Sequence, residues 1–162
     1  MKKQLAIALL MTSVGASMSA LAHRGSIYEG VEAWGKNIEK YAGNVEDALE
    51  SFVKENNLKQ EQIKAVKINE DRVSQQTHNI VKKIQKCYEL EKNCVNIQSS
   101  VNSGLGMLDQ EFDNLQANAR KFLKTYPSAT MLSEKVNFEL NQLSDAIAQF
   151  NEKVEAFMEQ HR

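Results

Sequence analysis

From Ile27 onward the apolar residues of this chain return every three or four positions, and no other feature limits its fold as strongly. Ile27, Val31, Trp34, Ile38, Tyr41, Val45, Leu49 and Phe52 keep one side of a helix apolar. No segment offers the alternation by two that a half-buried strand requires. Gly30, Gly35 and Gly43 each weaken such a helix by up to ~1 kcal/mol relative to alanine. Burial of the apolar side, rather than propensity, must therefore hold it together. Asn56 and Asn57 mark its end.

A second helix follows with Ile63, Val66, Val73, Ile80, Ile84, Cys87 and Leu90 on a near-heptad spacing, with polar Glu70 and Thr77 in two of its seam positions. After Leu90 the character changes. Asn93, Asn96, Ser99, Ser100, Asn102, Ser103, Gly104 and Gly106 cluster as turn residues do, which predicts a break and an irregular stretch over 91–106. A third helix carries Leu108, Phe112, Leu115, Ala119, Phe122 and Tyr126, and Pro127 stops it because the residue before a proline is pushed out of the helical region. The fourth carries Val136, Leu140, Leu143, Ile147, Phe150, Val154 and Phe157. Helices of about thirty residues reach ~45 Å and the span 106–126 only ~30 Å. The expected fold is all-α: an elongated antiparallel helical bundle of three long helices plus one shorter, with residues 91–106 as a small irregular cap.

The N-terminus sets the compartment. Lys2 and Lys3 precede an apolar run, Leu5 to Met11 in sequence, and Ala20-Leu21-Ala22 supplies small residues at a cleavage position, which together read as a secretory signal peptide over 1–22. Residues 23–162 then form a single helical-bundle domain in the periplasm or at the cell surface. Nothing downstream offers the ~20 apolar residues of a spanning helix, so no integral membrane span is expected. Cleavage leaves 18 basic and 21 acidic residues, a net charge of about −3, with the two signs interleaved. Such a chain lacks the basic block that neutralises phosphates, and no nucleic acid is expected as a partner.

Cys87 and Cys94 are the only cysteines. In an unbroken helix their Cα atoms would lie ~10.5 Å apart, beyond the ~7 Å that a disulfide bridges. Helix and disulfide exclude each other here. An oxidising compartment and an even count favour the disulfide, with the helix ending near Leu90; two buried thiols beside Ile84 and Ile97 are the alternative. A metal site would need further ligands, and His78 lies far back along the helix. His23, His78 and His161 have no neighbours that compose a nucleophile-base pair, and neither a haem-attachment motif, an E-x-x-H pair nor a phosphate loop is present. The reading is of a non-enzyme without cofactors.

The leader, the Trp34-Gly35-Lys36-Asn37-Ile38 region and the Asn- and Gln-rich helices around a short cap resemble the minor pilin family of type IV secretion and conjugation systems. The resemblance is one of architecture over the mature chain, and it departs from the family in the chain's shortness and in the Cys87 and Cys94 pair. It implies a pilus-tip or pilus-assembly role, with other secretion or pilus subunits or envelope proteins as partners. The alternative is a periplasmic holdase chaperone or envelope-stress protein, to which "NLKQEQIKAVK" has a likeness through Leu58 and Gln62. In either case Val95, Ile97, Val101 and Leu105, set among Asn and Ser in the expected cap, are the candidate partner-binding residues.

Overall fold

A computed structural model describes residues 15–90 and 93–162, with side chains from Ile27 onward. The chain forms four helices, α1 (Gly15–Glu55), α2 (Lys64–Glu89), α3 (Val95–Thr125) and α4 (Thr130–Gln160), with a 3-10 turn over Gln60–Ile63 leading into α2. No strand occurs among the described residues. The expected cleavage position after Ala22 falls within α1, and the apolar run of the expected leader lies outside the described residues.

Each helix buries the side that its spacing marks. Val31, Ile38, Val45 and Leu49 of α1 meet Val73, Ile80 and Ile84 of α2, Leu108 and Leu115 of α3, and Leu140, Leu143, Phe150 and Phe157 of α4 in one core. Trp34, Tyr41 and Phe52 lie at its margin, half-buried. Along the chain, α1 packs on α4 and α2, α2 packs on α3, and α3 touches α4 more lightly. Phe52 meets Phe122 and Tyr126 edge to face at one end, with Phe122 and Tyr126 tilted against each other, and the Tyr126 hydroxyl also donates to Gln62 Oε1 (2.6 Å).

The two expected stops occur where local chemistry places them. Asn57 takes a left-handed conformation (φ 53°) after α1. Leu58 N–H then reaches the Val53 carbonyl (2.9 Å) and Asn57 N–H that of Lys54 (3.3 Å), the paired bonds that satisfy a helix end. Tyr126, before Pro127, leaves the helical region (φ −126°, ψ 68°) and α3 ends at Thr125.

The expected cap is corrected. Residues 95–106 are the first turns of α3, which at 31 residues matches α4, and the shortest helix is α2 with 26. The Asn and Ser residues here are weak helix formers, but Ile97, Val101, Leu105 and Leu108 stand four, four and three apart and continue the side that Leu115, Ala119 and Phe122 bury. Burial of that side outweighs propensity. Gly104 is not a turn residue: a Cβ there would stand 2.9 Å from Ile80 Cγ1, so glycine is what lets α2 and α3 approach. Gly35 serves α1 similarly, with Val81 Cγ2 3.0 Å from the place of its absent Cβ.

Polar groups inside α2 fix how it sits on α3. Asn69 is buried where Glu70 was expected. Its Nδ2 donates to Glu111 Oε2 (3.2 Å) and its Oδ1 accepts from Asn118 Nδ2 (2.8 Å), so both ends of the amide are satisfied by the partner helix. Thr77, also buried, donates to the Val73 carbonyl (2.9 Å). Sliding α2 by one turn would leave the Thr77 bond intact, since it lies within α2, but would strand the Asn69 amide away from Glu111 and Asn118, a specificity device of the kind seen in coiled coils.

Two predictions follow from these local features. Replacing Asn57 with alanine should lower stability by about 1 kcal/mol, because an L side chain without a polar group resists the left-handed region, whereas Asn57→Gly should not; thermal unfolding followed by circular dichroism measures both. Burial holds the Glu70 carboxyl above its usual range, the Ser74 hydroxyl opposes this, and nearby Glu46 and Asp71 reinforce it. A raised carboxyl weakens the fold once ionised, so its contribution is best at low pH and is lost as pH rises through the folded value. Glu70→Gln should therefore raise the melting temperature at pH 7 and change little below the ordinary glutamate value of about 4.3.

Candidate functional site

The end of the bundle opposite the Phe52, Phe122 and Tyr126 cluster is where the four helices are tied together. α2 finishes at Glu89, and Asn93 Oδ1 accepts the Val95 backbone N–H (2.8 Å), starting α3. This reversal brings Cys87 and Cys94 to disulfide distance, with Cα atoms 6.0 Å apart, and both are buried. The second helix thus ends where the cysteine spacing requires, and does not continue past Cys94. Cys94 N–H donates to the His161 carbonyl (2.8 Å), binding the reversal to the last residues of α4.

Aromatic rings fill the space beneath. Tyr28 of α1 stacks on Tyr88 of α2 with ring centroids 4.5 Å apart and planes 7° from parallel. Tyr88 leans on Phe157 of α4 (6.3 Å), and Phe157 stacks on His161 (4.1 Å), whose Nδ1 donates to the Phe157 carbonyl (2.8 Å). Burial, helped by Glu32, Glu89 and Tyr88, pushes the Tyr28 hydroxyl above its usual value, so it stays protonated as a neutral part of this packing.

Above this base two apolar side chains face outward: Leu90, between the cysteines in sequence, is 51% exposed, and Val95, directly after Cys94, is 52% exposed. The other expected contact residues lie elsewhere. Ile97 is half-buried against the core, and Val101 and Leu105 are within it, because the stretch that carries them is helical and turns them toward α2. Leu90, expected in the seam of α2, instead joins Val95 at the surface. Tyr28, Tyr88 and His161 were missed by sequence reasoning; the four-residue spacing of Phe157 and His161 near the chain's end was the available signal.

Among the described residues no group of three or more His, Cys, Asp and Glu could hold a metal ion, and no helix is long and apolar enough to cross a membrane. What this end offers is a fixed apolar contact point. Neither a family model, a curated protein nor a solved structure matches this chain.

At 6.0 Å the cysteine pair closes to a disulfide in an oxidising compartment. Thiol labelling of the native protein purified without reductant should then modify neither cysteine until a reductant is added. Cys87→Ser with Cys94→Ser should cost roughly 2 to 3 kcal/mol of stability, read by thermal unfolding, with helicity at room temperature retained.

Proposed function

We propose that this chain is an exported, non-catalytic subunit of a type IV secretion or conjugative transfer apparatus, a minor pilus or assembly component that presents the disulfide-closed end of an elongated antiparallel bundle to another subunit. The observation that carries the reading is the placement of Leu90 and Val95 on a base fixed from all four helices by the cysteine pair, the Cys94 to His161 hydrogen bond and the Tyr28, Tyr88, Phe157 and His161 rings. Loops held by rigid scaffolds are where binding residues concentrate, and a rigid contact point loses little entropy on docking.

The antiparallel arrangement is supported by partners that fall in number along one helix as they rise along the next. Gly30 lies beside Lys153 and Asn44 bonds Glu139; Tyr28 stacks on Tyr88 and Glu46 pairs with Lys67; Asn69 bonds Asn118 and Lys83 bonds Ser100. Helices of 31 residues extend ~47 Å, giving a rod with its contact point at one end. Among the described residues the exposed large apolar side chains Ile68, Leu90, Val95, Met107, Met131 and Phe138 are spread over α2, α3, α4 and the α2–α3 reversal, which favours a contact subunit over a holdase.

Exchanging Leu90 and Val95 for glutamate should abolish transfer or pilus formation in cells while helicity and yield stay as in the parent, since both side chains are outside the core. Deleting the gene should do the same. Normal transfer in the deletion strain, with general sensitivity to envelope stress, would replace this reading with the holdase one.

A further inference from the structure

The charges on two outward faces are segregated in a way that the bundle itself does not use. Between α2 and α3 runs an open groove of about 580 Å³ lined by Ile80, Lys82, Lys83, Lys86, Gly104 and Met107 among other residues. Its floor is apolar, with Met107 48% exposed. Its rim carries three lysines within little more than one turn of α2, adjacent Lys82 and Lys83 followed by Lys86, and no carboxylate. Lys83 donates to Ser100 Oγ, and none of the three is in an ion pair among the described residues. Like charges at such spacing on one helix repel by a few tenths of a kcal/mol per pair. Their clustering therefore opposes α2 slightly, and no ion pair among the described residues offsets it.

The outward face of α4 is the counterpart. Met131 is 85% exposed and Phe138, two turns on, 59%. The same face continues through Glu134, Asp145 and Glu152, all exposed and all outside the ion pairs of the described residues, with exposed Lys135 at its flank. Phe138 is an aromatic side chain left in water on an acidic helix. The groove is an apolar trough left open between lysines.

We infer that a second copy of this chain seats its α4 face in the α2–α3 groove, with Phe138 over Ile80, Gly104 and Met107 and the α4 carboxylates against Lys82, Lys83 and Lys86. Whichever way the incoming helix runs, a carboxylate stands within two turns of Phe138, Glu134 before it and Asp145 after it. At Gly104 the trough runs over the point where Ile80 takes the place a Cβ would occupy. Charge complementarity sets the register and an aromatic anchor supplies the affinity, the usual division at protein contacts. Because groove and ridge are different surfaces of the same molecule, the contact is heterologous: a joined pair still has one free groove and one free ridge, so growth continues into a ring or filament. This contact is separate from Leu90 and Val95 and stands or falls without the proposed role in transfer.

The test is sedimentation or light scattering of the purified chain over a range of protein and salt concentrations. Self-association that weakens steeply with salt is expected. A groove variant, Lys82→Glu with Lys83→Glu and Lys86→Glu, and a ridge variant, Phe138→Ser, should each associate about 30-fold or more weakly, the loss typical of an anchor residue. Circular dichroism checks that both remain helical. Mixing them is decisive: the groove variant keeps its ridge and the ridge variant its groove, so the mixture should form a one-to-one dimer and stop there. A parent chain that stays monomeric at low salt would overturn the inference. So would variants that associate like the parent, a mixture that stays monomeric, or one that grows beyond the dimer.

Discussion

The approach of α2 to α3 at Ile80 and Gly104 is the constraint on which most of this structure depends. A side chain at position 104 would have to occupy space that Ile80 fills, so the two helices are close only because that residue is glycine. Closeness in turn lets Val101, Leu105 and Leu108 bury against α2. Their burial is what makes a helix of a segment rich in Asn and Ser, since isolated helices of such composition are unstable in water. Once that segment is helical, the reversal before it has to be short, and a short reversal places Cys94 within reach of Cys87. The end of the bundle and the trough above Gly104 thus share one origin.

What keeps this approach in register is polar. An apolar seam alone tolerates sliding by a turn, because one branched aliphatic side chain substitutes for another at modest cost. Asn69 does not tolerate it, having one end of its amide on Glu111 and the other on Asn118. Glu111 also stands 3.6 Å from Arg72, an outer contact whose exposure makes it weak. The buried amide, with no water to replace its partners, is the stronger determinant of alignment.

The parts of this architecture legible in the sequence are those governed by a few neighbouring residues. Asn57 after α1 and Tyr126 before Pro127 end their helices for backbone reasons that need no knowledge of the fold, and the Cα limit on a disulfide excluded a helix through Cys87 and Cys94. The seams of α1 and α4 were legible from spacing alone, although small Ala42 and Ala146 escaped notice in them. Residues 95–106 were misjudged because Asn, Ser and Gly point to turns locally, while the apolar period through Ile97, Val101, Leu105 and Leu108 points to helix. A glycine reads identically as a turn or as a close approach until its neighbour is known, and Ile80 is 24 positions away in sequence. That misjudgement carried into the site: Val101 and Leu105 were placed at a surface because α3 was expected to begin only near Gly106, whereas Leu90, expected in the seam of α2, lies just past that helix's last residue. The charged faces were hidden for another reason, since acidic and basic residues alternate along the chain and separate only when helices are folded side by side.

The cysteine pair acts on a region the rods already define, and this bears on what it contributes. Its closed ring is short, so it restricts the unfolded chain modestly. The helices on either side are held by Ile80, Ile84, Val101 and Leu105 whether or not the sulfurs are bonded. Leu90 and Val95 have no such support, being beyond the last buried positions of α2 and ahead of the first of α3. The Cys87 and Cys94 link and the Cys94 to His161 hydrogen bond limit their movement, together with the Asn93 bond to the Val95 N–H. A crosslink placed at the point where core packing gives out changes the entropy of the surface more than that of the fold, and any contact made through Leu90 and Val95 gains by it.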